Sequence, residues 1–130
     1  MHSTMFMDKY PVHTFTLSKN TVPLAAASDV IAALKEKVDT DAVADFIAIY
    51  DHFAHTQALP QGEVAEGIQA VQLLVFCFGI KLPGPEAVAV RPRSIGVTEY
   101  ADHFVISFMA APNPAMNATM QQWVKELATV

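Results

Sequence analysis

The chain has 130 residues, a net charge of −5 and one cysteine, with 52% apolar and only 16% charged residues. That length suits one domain (residues 1–130) and excludes two well-packed ones, and it buries enough surface to fold without disulfide or metal staples. The six lysines (Lys9, Lys19, Lys35, Lys37, Lys81 and Lys125) are scattered, which argues against nucleic acid binding, because phosphate neutralisation calls for a basic stripe.

With Cys77 alone, no intrachain disulfide can form, and a reducing, cytoplasmic location is expected. The longest apolar run, Leu73 to Ile80, is far too short to span a membrane, so no membrane partner is expected. Met1 to Met7 lacks the charged and apolar regions of a secretory signal. Met1, Met5 and Met7 are each candidate starts, and residues 1–9 read as a loose N-terminal extension. Charged residues fall below the usual quarter, which points either to an unusually small exposed surface or to a subunit interface, and a homodimer is expected.

Val12 to Leu17 is rich in β-branched and aromatic residues and reads as a first strand. Ala25 to Val38 carries Val30, Ile31, Leu34 and Val38 at helical spacing, with Ser28 and Asp29 as capping residues near its start. Asp39 or Thr40 caps an expected second helix reaching Ala58, since Val43, Phe46, Ile47, Tyr50, Phe53 and Ala54 recur three and four apart. Pro60 to Gly62 closes that region.

Gln69 to Leu82 is apolar at both alternating positions, as a central strand is, with Gly79 marking a bulge or a close approach. Pro83-Gly84-Pro85 is a turn, and Ala87 to Val90 is expected as a short edge strand. Ser94 to Tyr100 and His103 to Met109 form a hairpin around Ala101-Asp102. Its register pairs Ile95 with Phe108, Val97 with Ile106 and Glu99 with Phe104. Pro112-Asn113-Pro114 starts a last helix, capped by Asn113, whose Met116, Met120, Trp123, Val124 and Leu127 share one side.

Four groups of residues could carry chemistry. Asp51-His52-Phe53-Ala54-His55 places two histidines three apart on a helix, with Asp51 in reach of His55. Two histidines supply only two metal ligands, so a metal would need Cys77, Glu99 or His103 as a third, and neither metal nor cofactor is expected. The alternative is an ordinary solvated helix face. Arg91 and Arg93, the only arginines, flank Pro92; in an extended segment both would point the same way and grip one anion, with Ser94 adding a hydroxyl. The bland alternative is a pair of salt bridges.

Cys77 lies in the most apolar strand and reads as an inert core thiol rather than a nucleophile. Glu99 points to the apolar face near the sheet's end, where it is either a carboxyl with a raised pKa or a residue escaping to solvent. His13 and His103 sit near strand ends and read as surface or interface residues.

DHFAHT (51–56), VFCFG (75–79) and RPRSIGV (91–97), followed by APNP (111–114), resemble a family of short uncharacterised bacterial proteins over most of the chain from Tyr10. The resemblance implies a bacterial, cytoplasmic origin and assigns no activity to any residue.

The expected fold is α+β: an antiparallel sheet of four or five strands with helices on one face, in the order β-α-α-β-β-β(-β)-α. Three functional readings stand. One is a small module, with or without catalysis, binding an anionic metabolite through Arg91, Arg93 and His52 or His55 converging in one pocket. The others are a homodimeric interaction protein without a catalytic site, and a metal-binding domain using His52 and His55.

Overall fold

The computed structural model describes residues 1–130. In chain order it contains β1 (His2–Phe6), β2 (Tyr10–Ser18), α1 (Ala27–Thr40), β3 (Ala44–Asp51), α2 (His52–Ala58) and β4 (Ala70–Phe78). Then come α3 (Pro85–Ala89), β5 (Arg93–Glu99), β6 (His103–Met109) and α4 (Pro114–Glu126), which runs into a 3-10 turn at Leu127–Thr129. All six strands join one antiparallel sheet in the order β1-β2-β6-β5-β4-β3. The α+β class is as expected; the sheet has six strands rather than four or five, and the element order differs accordingly.

Two of the differences lie at the sheet's edges. Residues 2–6, expected within a loose extension, pair with Tyr10–Thr14 through a tight turn. Met7 and Asp8 both adopt positive φ there (55° and 58°), and Lys9 N–H closes the turn on Phe6 C=O at 3.1 Å. Two positive-φ residues twist a hairpin the way its strands demand.

At the other edge, the expected second helix is strand β3. Asp41 makes the switch: its Oδ1 accepts both Val43 N–H and Ala44 N–H at 2.9 Å, turning the chain out of α1 into extended backbone. Phe46 lies beside Phe76 under α1, with the Lys35 ammonium 4.5 Å from its ring centre. Only His52–Ala58 is helical.

The hairpin of β5 and β6 carries the expected register, Val97 opposite Ile106 and Glu99 opposite Phe104. Ala87 to Val90, expected as an edge strand, instead lies largely in the short helix α3, which Pro85 starts at a position that needs no N–H donor. Gly79 sits just beyond β4 with open space around it, so it marks neither a bulge nor a close approach.

Strand alternation sorts the sheet's side chains onto two faces. Leu74, Phe76, Ile95, Val97, Phe104 and Ile106 are completely buried beneath the helices. α1 meets them with Val30, Ile31, Leu34 and Val38, and α4 with Met120, Trp123 and Val124. Trp123 stacks on Phe78 and meets Phe76 edge-on, with centroids 5.6 Å apart in both cases. Each such side chain contributes about 1.5–3 kcal/mol by leaving water. Opposite them, Leu73, Val75, Cys77, Thr98 and Val105 are only half-buried. Cys77 therefore stands on the uncovered face beside Asp45, and the expectation of a core thiol is corrected.

Candidate functional site

The arginines and the histidines do not meet. Arg93 pairs with Phe76 and so stands on the helix face of the sheet. Tyr50, at the root of the histidine segment, pairs with Leu73 on the other face. Asp51 lies opposite Gln72, four strand positions from Phe76, or roughly 13 Å along β4. The expected single pocket of arginines and histidines is not formed, because the strand that replaces the second helix carries His52 and His55 to the far end of the sheet.

At that far end the polar groups bond to one another. Asp51 caps α2, its Oδ1 accepting Ala54 N–H at 2.9 Å, rather than reaching His55. His52 Nδ1 lies 3.0 Å from the Thr56 hydroxyl, and His55 Nδ1 meets the Tyr50 hydroxyl. The rings of Tyr50, His52 and His55 gather with centroids 5.2 to 6.0 Å apart, all three exposed. Nothing completes a metal site: no three His, Cys, Asp or Glu side chains come together in an arrangement that could hold an ion. Cys77 is beside Asp45, Glu99 is engaged elsewhere, and the His103 ring stacks on Tyr100 with its Nδ1 2.6 Å from Asp102.

Glu99 is 9% exposed, as its apolar-face position demands, and it neither escapes to solvent nor stands free as an acid or base. Its Oε1 accepts Ala27 N–H at 2.8 Å and its Oε2 accepts from the Lys19 ammonium at 2.7 Å. A buried carboxylate so satisfied is a fastener between β5, α1 and the end of β2.

The arginines, by contrast, line a cleft of about 360 Å3 between α3, the start of β5 and the start of α4. Its walls include Phe78, Val90, Ala111 and Met116 on the apolar side, and Glu86 and Asn113 as further polar groups. Arg93 is anchored by its two Nη atoms, one donating to Val90 C=O at 3.3 Å and the other to Met109 C=O. That leaves Arg93 Nε, together with Arg91 Nη1, buried and without any hydrogen-bond partner. Burial lowers the Arg93 pKa, yet a guanidinium is so basic that the group stays charged at neutral pH.

Ser94 does not join them. It pairs with Val75 on the opposite face, because neighbouring residues in a strand point to opposite sides. Three residues of the cleft lining gave no sign in sequence of belonging to a site: Glu86, Asn113 and Phe78. Asn113 reads as a helix cap, and it is one, its Oδ1 accepting Ala115 N–H at 2.9 Å and Met116 N–H at 3.2 Å.

Fold and cleft define a small α+β domain with a helix-covered antiparallel sheet and one arginine-lined cleft at its end. The chain belongs to DUF6858, a family of unknown function, whose family model matches residues 1–129. No curated protein and no solved structure matches it. No helix is long and apolar enough to cross a membrane.

Proposed function

We propose that the cleft at the arginine end binds a small organic anion, one with a carboxylate at one end and an apolar body. The observation that carries this reading is the pair of unpartnered buried nitrogens, Arg91 Nη1 and Arg93 Nε. A buried donor without an acceptor costs about 1–3 kcal/mol, more when charged, and an anion relieves two such costs at once with charge-assisted bonds. The N-terminal end of α4 adds a favourable dipole nearby. The apolar wall suits a hydrocarbon body, and the volume lies in the range of small-molecule sites.

Binding rather than catalysis is the better reading of this cleft. Its lining holds no His, Cys, Ser or Thr, so no nucleophile sits beside a base. Glu86 opposes a highly charged anion and favours a monoanion, or a ligand that also carries an amine. A lone thiol agrees with a reducing compartment, and we place the protein in the cytoplasm.

A thermal-shift screen tests the reading, using benzoate, octanoate, a zwitterionic amino acid such as phenylalanine, and inorganic phosphate. The apolar carboxylates should raise the melting temperature of the wild type, and Arg91→Gln should lose that rise while melting normally without ligand. No rise with any organic anion, or an undiminished rise in Arg91→Gln, would refute it.

A further inference from the structure

The cleft between α3, β5 and α4 carries charge of both signs, and the two signs do not touch. Glu86 and Val90 both line it, as residues four apart on one helix share a side. Glu86 therefore faces the same space as Arg91 and Arg93. Yet the chain's ion pairs are Lys19–Glu99, Lys35–Asp39, Lys37–Glu126 and His103–Asp102, and Glu86 is in none of them. Its carboxylate stands beyond ion-pair reach of either guanidinium.

Two constraints keep these poles apart. Arg93 is held by Val90 C=O and Met109 C=O, so its guanidinium cannot swing towards the first turn of α3. Glu86 belongs to that first turn, directly after Pro85, and its backbone lies about 6 Å along the helix from Val90. The cleft thus offers an acceptor for a cation at one end and two unpartnered donors for an anion at the other.

An α-amino acid supplies both missing partners. Its carboxylate and ammonium are joined through one carbon and stand about 3 Å apart. With a charge-assisted bond of about 2.8 Å at each end, it bridges poles up to roughly 8 Å apart, more than one helical turn. A plain carboxylate leaves Glu86 unpaired, a plain amine leaves the arginines unpaired, and the end of a peptide offers only one of the two groups. The other walls, Phe78, Ala111 and Met116, are apolar, and about 360 Å3 holds a ligand of leucine or phenylalanine size.

We infer that this cleft takes a free apolar α-amino acid, its carboxylate on Arg91 and Arg93, its ammonium on Glu86 and its side chain against Phe78 and Met116. The inference rests on the cleft being an anion site, and it makes Glu86 the residue that selects among anions.

Isothermal titration calorimetry of the whole chain tests it with three probes: L-phenylalanine, hydrocinnamate, which lacks only the ammonium, and phenethylamine, which lacks only the carboxylate. Phenylalanine should bind about five- to ten-fold tighter than hydrocinnamate, a modest factor because Glu86 is open to solvent. Phenethylamine should bind weakest. Glu86→Gln should erase the preference, weakening phenylalanine and leaving hydrocinnamate unchanged or tighter. If that variant fails to fold, the wild-type ranking of the three probes decides alone. Hydrocinnamate binding as tightly as phenylalanine, or tighter, overturns the amino acid assignment and leaves the anion site standing. So does a preference that persists in folded Glu86→Gln. Phenethylamine binding tightest, or no binding of either carboxylate, overturns the anion site as well.

Discussion

The Glu99 carboxylate accepts Ala27 N–H at 2.8 Å, and this one bond ties the end of β5 to the first turn of α1 across 72 residues of sequence. No side chain of the helix's own could serve as well there, because alanines occupy its entry at Ala25, Ala26 and Ala27. Asp29 does turn back to accept Ala25 N–H and Ala26 N–H, at 3.2 and 3.0 Å. The next donor needs a partner from outside the helix.

Removing that partner should therefore loosen α1. Glu99→Ala orphans both the Ala27 N–H and the Lys19 ammonium and is expected to cost about 2–3 kcal/mol, less than a fully buried pair because Lys19 keeps some solvent. Glu99→Gln keeps an acceptor for Ala27 and should cost less. Urea denaturation measures both, and equal losses would show that the ion pair, not the helix tie, matters.

His13 makes stability depend on pH. Asn117 Oδ1 accepts Ala111 N–H at 2.9 Å, which turns the Asn117 amide nitrogen towards His13 Nε2, 3.1 Å away. Nε2 must then accept, and the ring proton sits on Nδ1, facing the Ser3 hydroxyl at 2.8 Å. Protonating Nε2 would set two donors against each other. Burial lowers the His13 pKa below the ordinary 6.5, so between the two values the unfolded chain binds more protons than the folded one. Stability should be unaffected by this group above about pH 7 and fall as pH drops through 6.5 towards the lowered folded value. Melting temperatures against pH should show the loss, and His13→Gln should reduce it.

Gly62 closes α2 at very short range. A Cβ at this position would sit 1.9 Å from Thr56 C=O, a backbone atom that cannot swing aside. Gly62→Ala is expected to destabilise by about 1–3 kcal/mol, within the usual span of strained backbone substitutions. Hydrogen exchange should report it first in α2, as faster exchange of that helix's amides.

The two long helices, the buried sheet face and the β5–β6 register were legible because each rested on a strong local signal. Asn113-Pro114 is a cap followed by a first-turn proline, and a two-residue loop leaves the hairpin one register. β3 was misread because Val43, Phe46, Ile47 and Tyr50 satisfy the helical period. The register shift between Phe46 and Ala48 also breaks the strict alternation that would have identified the strand. β1 escaped because its turn uses Met7 and Asp8 where asparagine or glycine usually advertises positive φ. At the site, Arg91 and Arg93 both line the cleft, but not by the extended-strand spacing expected, since β5 begins only at Arg93. The separation of the histidines was not legible either, since it depends on the strand order of the whole sheet.

The most direct test of the cleft is the Arg93 Nε–Hε resonance followed by NMR while benzoate is titrated into the wild-type protein. An acceptor arriving at that unpartnered nitrogen should shift its signal saturably, with the same midpoint as the backbone amides of Ala111 and Met116. Arg91→Gln should weaken that midpoint, while Glu86→Gln should leave it unchanged or tighten it. A Nε–Hε signal that stays still while benzoate binds, or no saturable binding at all, would contradict the assignment of this cleft as an anion site.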